Sequence, residues 1–194
     1  MSVSVASSVA LRSSSIASAS AGPTRLRVPD LLHATDQAAD DVLSGRCDHL
    51  LPEGGVPDSR RWFIRIHGDD ELDVWLISWV PGHATELHDH GGSLGALTVV
   101  SGSLNEFRWD GRDLRRRRLD AGDQAGFPLG WVHDVVWAPR PVARPVSPIK
   151  RPVAPTLSVH AYSPPLSAMS YYEVTANSRL RRQRTELTDQ PEGT

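Results

Sequence analysis

Cysteine is almost absent from this chain: Cys47 is the only one among 194 residues. An intrachain disulfide is therefore excluded, which fits a reducing cytoplasm, the expected compartment. Long apolar runs are also missing, and none approaches the roughly 18 residues of a membrane span. Charge of one sign is lacking: the formal net charge is −2, so no global field draws the chain to nucleic acid or a lipid surface. There is no glycine-rich phosphate loop and no repeated βα alternation. Nucleotide-binding α/β folds are thereby set aside. A monomer is expected.

What is present reads as one domain with extended ends. Residues 1–22 are rich in Ser and Ala, hold no acidic residue, and read as a disordered N-terminal tail. Between 29 and 51, Leu31, Ala34, Ala38 and Val42 recur at helical spacing, with Asp30 as the expected cap. From about residue 60 the pattern changes to short strands. Arg61–His67 and Leu72–Val80 flank the turn Gly68-Asp69-Asp70. Gly95–Val100 and Ser103–Trp109 flank Ser101-Gly102, read as a tight hairpin, and Asp110-Gly111 leads into Leu114–Leu119. Further strands end in Val132–Trp137, followed by Thr156–Tyr162 and Tyr171–Val174. Many short strands at regular spacing predict a mainly β barrel or sandwich with a small N-terminal helical layer.

Two segments invite functional readings and receive plainer ones. The run 115–118 is four arginines, but acidic neighbours dilute it and a strand would split it between two faces, so it reads as a solvated outer strand. Residues 140–155 hold five prolines and read as a semi-extended surface loop. Residues 177–194 are polar and read as a C-terminal tail.

The informative stretch is His88-Asp89-His90-Gly91-Gly92-Ser93. In an extended strand, residues two apart point to one face. Two imidazoles side by side make half of a metal site, and His133 can complete it. His33, His49, His67 and His83 read as ordinary surface histidines. Gly82, five residues, His88-x-His90 and then Gly102 resembles the first motif of the cupin superfamily. Gly122, five residues, Pro128-x-Gly130-x-x-His133 resembles the second, with Trp137 at its usual Asn. Many cupins carry a ligating Glu four or five residues past the second histidine, where this chain has Leu94 and Gly95. Three imidazoles without a carboxylate would leave a divalent ion its full charge and open positions, suited to a thiolate and O₂.

Within the cupins the chain resembles the cysteine dioxygenase type I family, in its bacterial form. The resemblance is carried by Trp79-Val80-Pro81-Gly82, His88-Asp89-His90-Gly91-Gly92-Ser93, Gly102-Ser103-Leu104-Asn105-Glu106, His133-Asp134-Val135, and Ser158-Val159-His160-Ala161-Tyr162-Ser163-Pro164-Pro165. It implies a cupin jelly-roll barrel over about residues 60–176, within a domain spanning 23–176. It also implies Fe(II) as cofactor, held by His88, His90 and His133, and oxidation of a small thiol by O₂ to a sulfinic acid. The implied catalytic set is Tyr162, His160 and Ser158. Substrate binding falls to Arg65 on the carboxylate and to Tyr162, with Arg60 and Arg61 as competitors of Arg65. Some family members crosslink a cysteine to the active-site tyrosine; here that position is Gly95. L-Cysteine is the expected substrate, bound through thiolate and amine. The alternatives are another small thiol such as 3-mercaptopropionate, or a non-catalytic metal-binding cupin sensor. The first would be expected to bring an arginine soon after Tyr162, and none appears before Arg179.

Overall fold

The computed structural model describes residues 25–139 and 154–191. The N-terminal tail at 1–22 and nearly all of the proline-rich stretch lie outside the described residues.

Among the described residues, one helix precedes eleven strands. Helix α1 covers Val28–Leu43, and a single 3-10 turn follows at Asp48–Leu50. Asp30 is not the cap residue. Arg27 holds that place, and the Asp30 carboxylate accepts the Arg27 backbone N–H at 2.7 Å. Pro29 sits in the first turn, where its missing N–H costs nothing. The strands are β1 (Trp62–Gly68), β2 (Asp73–Trp79), β3 (His88–Asp89), β4 (Leu94–Ser101), β5 (Ser103–Trp109), β6 (Leu114–Asp120), β7 (Gln124–Phe127), β8 (His133–Trp137), β9 (Thr156–Ser163), β10 (Ala168–Val174) and β11 (Leu180–Leu187).

They form two antiparallel sheets, ordered β1-β2-β9-β4-β7 and β11-β10-β3-β8-β5-β6. This two-sheet antiparallel sandwich is the mainly β, cupin-type fold expected from the motifs. Its core has two parts. Between the sheets lie Trp75, Ile77, Trp79, Leu97, Leu104, Phe127, Val135 and Tyr162. On the outer face of the first sheet, Val74, Leu76, Ala96, Val159 and Ala161 pack against Leu31, Ala38 and Ala39 of α1. Strand β2 is therefore apolar on both faces: odd-numbered residues point inward and even-numbered ones toward the helix.

Two sequence readings need correction. Ser101-Gly102 does not close a hairpin, because β4 and β5 belong to different sheets. The chain turns a corner there. Gly102 has φ +79° and lies so close to β9 that an added Cβ would stand 2.3 Å from Thr156 Oγ1. Only glycine meets both demands. Second, the polar residues after 177 are not simply an extension. Eight of them, Leu180–Leu187, form β11 and pair with β10. An edge strand facing water on most of its surface has no apolar alternation to announce it.

The candidate metal centre

Strand β3 is only two residues long, yet it sits between β10 and β8 and pairs His88 directly with His133. Directly paired residues share a face, so both imidazoles point between the sheets. His90 follows just beyond β3 and completes the group. The ligand atoms of His88, His90 and His133 all lie within 4.8 Å of one another, and all three residues are buried. Ring centroids are 4.9 to 5.2 Å apart. Phe127 closes one side, 4.2 Å from the His133 ring. No other described residues of metal-ligating type gather this way. His33, His49, His67 and His83 are exposed, as expected.

Each of the two paired histidines is oriented from behind. His88 Nδ1 donates to the Glu86 carbonyl at 2.7 Å. That fixes the tautomer and turns Nε2 into the nitrogen suited to ligation. Glu86 is in turn gripped by Arg184 through two contacts of 2.8 and 3.0 Å. The same guanidinium lies 3.9 Å over the ring of Tyr171, the residue paired with His88. Strand β11 thus reaches the centre through Arg184.

Behind His133 stands Glu106, the residue that sequence reasoning left without a role. It is completely buried. Its Oε1 accepts from His133 Nδ1 at 3.1 Å and from Trp131 Nε1 at 3.1 Å, and its Oε2 pairs with Arg117. Burial pushes its carboxyl pKa up. The His133 hydrogen bond and charge, then Arg117 and Trp131, outweigh that and hold it below the ordinary value. A carboxylate behind a histidine is the arrangement that makes the imidazole a stronger ligand.

Across the barrel, Ser158, His160 and Tyr162 alternate along β9 and are fully buried. Trp79 Nε1 donates to Ser158 Oγ at 2.8 Å. His160 Nε2 lies 3.0 Å from Ser158 Oγ, and its Nδ1 lies 3.3 Å from the Tyr162 hydroxyl. The Tyr162 ring is 5.0 Å from that of His90. Gly95 pairs with Tyr162, and a Cβ there would stand 2.9 Å from Phe127 and 3.4 Å from His90 Nδ1. The tight approach of β4 to the cluster explains why no side chain occupies this position.

Arg65 lies on β1 and stacks 4.6 Å over Trp75. Its Nε is 3.4 Å from Asp73 Oδ1, and its Nη2 reaches the Asp189 carbonyl at 3.4 Å. Arg61 stacks 4.3 Å over Trp79, at the far end of the same strand face. Asp73 pairs with Tyr162 across β2 and β9, so it belongs to the inward row that faces His90.

These features define a cupin barrel with a buried three-histidine centre. The model of the cysteine dioxygenase type I family matches residues 57–132, which supports the family recognised from the motifs. The match includes His88, His90 and Glu106 and stops one residue before His133; the strand pairing is what brings His133 in. Solved structures resembling the chain include a double-stranded β-helix protein of Klebsiella pneumoniae at 18% identity, covering 71% of this chain and 93% of that one with a TM-score of 0.44. The polyketide cyclase RemF of Streptomyces resistomycificus is similar at 14% identity over 62% and 76%, with a TM-score of 0.46. KdgF of a Halomonas species matches at 17% over 54% and 80%, with a TM-score of 0.41. No helix among the described residues is long and apolar enough to cross a membrane.

Proposed function

We propose that the protein is a non-haem iron(II) thiol dioxygenase that converts L-cysteine and O₂ into cysteine sulfinic acid. The observation that carries this reading is the buried histidine cluster facing the Ser158–His160–Tyr162 relay across the barrel. The donor set fits the ion. Three imidazoles, one tied to a carbonyl and one to a carboxylate, suit a borderline divalent metal and leave it positions for small ligands. Bound through His88, His90 and His133, iron(II) would supply the activation of O₂ that no side chain provides. The stoichiometry is self-contained: thiol plus O₂ gives sulfinic acid, with both oxygen atoms ending on sulfur.

The protein's own part is orientation and proton placement. Trp79 donates to Ser158 Oγ, so the serine hydroxyl hydrogen is directed to His160 Nε2. His160 then carries its proton on Nδ1 and donates it toward the Tyr162 oxygen. Tyr162 keeps its own O–H to donate to a reactant in front of the histidines. Arg65 offers a guanidinium to the substrate carboxylate. Phe127 and Trp79 keep water from the buried side of the pocket.

The test is to load the protein anaerobically with iron(II), add cysteine and then O₂, and analyse the product by mass spectrometry. Cysteine gaining two oxygen atoms is expected; no sulfinate at full metal occupancy rejects the reading. Tyr162→Phe is expected to lower kcat by about 10²-fold, with metal content unchanged. Wild-type turnover in that variant would remove Tyr162 from the chemistry.

A further inference from the structure

Asp73 is an anomaly that the fold makes visible. It begins β2, on the inward face shared with Trp75, Ile77 and Trp79. It is 2% exposed, and its Oδ2 is buried without a hydrogen-bond partner among the described residues. Among the described residues, the polar contact of Oδ1 is the 3.4 Å approach of Arg65 Nε. Buried carboxylate oxygens are normally satisfied, and an orphan is costly unless a ligand completes it.

The orphan's location matters. Gly68, Asp73, Tyr162, Gly95 and Phe127 form one cross-strand row on the inner face of the first sheet. That row faces His90 through Tyr162 and Gly95. Gly68 is packed tightly by both groups: a Cβ there would stand 3.0 Å from Asp73 Oδ1 and 2.9 Å from the Arg65 side chain, so glycine lets the acid and the guanidinium sit together. Asp73 and Arg65 therefore set an acceptor and a cation side by side next to Tyr162, the residue that links this row to His90. An α-amino acid carries a donor and an anion on one carbon, in complementary order.

We propose that Asp73 is the amine-recognition residue of this site, accepting an N–H of the substrate's α-amino group while Arg65 holds its carboxylate. The substrate class is then an amino-acid thiol, not a thiol acid lacking the amine. An amine whose lone pair is engaged elsewhere still has N–H hydrogens to donate, so the two roles are compatible. The proposal rests on the thiol dioxygenase reading and sharpens it.

The experiment compares L-cysteine with 3-mercaptopropionate, which has the thiol and carboxylate but no amine. Each is titrated anaerobically into cobalt(II)-loaded protein, and thiolate binding is read from the visible absorption of the ion. Wild type, Asp73→Asn and Asp73→Leu are measured alongside their melting temperatures. Both variants are expected to weaken cysteine binding by about 10- to 100-fold. Affinity for 3-mercaptopropionate should stay within about twofold. If both thiols weaken equally, or neither does, Asp73 is not reading the amine. The wild type decides one point without any variant: equal affinity for the two thiols also overturns the proposal. If wild type binds neither thiol at the metal, the dioxygenase reading falls and this inference falls with it, a result distinct from the others.

Discussion

Replacing His133 with alanine is expected to lower metal affinity by more than about 100-fold. Loss of an outer partner costs roughly 10- to 100-fold in such sites, and loss of a ligand must exceed it. The fold should survive. His133 contributes its backbone to the β3–β8 and β5–β8 pairings, and those do not depend on the imidazole. Glu106 would keep Arg117 and Trp131 as partners. The variant should therefore unfold cooperatively near the wild-type temperature while retaining little metal after dialysis. Metal analysis on the folded protein is the measurement; full occupancy at wild-type affinity would show that His133 is not a ligand. His88→Ala should behave alike, since His88 stands opposite His133 in the same pair.

Glu106→Ala is expected to harm both stability and metal binding, which distinguishes it from the histidine variants. Removing the carboxylate strips His133 Nδ1 and Trp131 Nε1 of their acceptor and Arg117 of its counter-charge. Buried groups left unsatisfied cost about 1–3 kcal/mol each. Arg117 is partly exposed and can recover water. A loss of about 2–6 kcal/mol is the expected sum, visible as a lower denaturation midpoint. Metal affinity should fall by about 10- to 100-fold, because His133 loses the group that fixes its ring and raises its basicity. Glu106→Gln separates the two effects. It keeps an acceptor for His133 but turns an amide toward Arg117, so it should recover more metal affinity than stability. A Glu106→Ala protein that binds metal like wild type would confine this residue to packing.

The two arginine-linked carboxylates explain why the sequence alone missed part of the site. Glu106 sits on an inward position of β5, in phase with Leu104. An acid in that phase is a signal, but Phe107 on the opposite face blurs the alternation and hides which face is the core. Asp73 is hidden for a related reason. Strand β2 is covered by the second sheet on one side and by α1 on the other. Its residues from Val74 to Trp79 read as a nearly continuous apolar run with no phase to expose the buried acid. Arg184 was invisible because a polar edge strand resembles a polar tail.

Local sequence pattern was enough for the strand-rich class, most strand positions, and the motif His88-x-His90 with its glycine frame. Those are short-range properties: alternation, turn chemistry and spacing within about ten residues. It also placed Ser158, His160 and Tyr162 on one face of one strand, again by period-two geometry. Long-range pairing set which strands share a sheet, and so put His88 opposite His133, 45 residues away along the chain. It turned Gly102 from a hairpin into a corner, brought Glu106 behind His133, and set Arg65 beside Asp73, the residue paired with Tyr162. These pairings arise because antiparallel register carries side chains from distant segments onto a common face, which spacing along one segment does not encode.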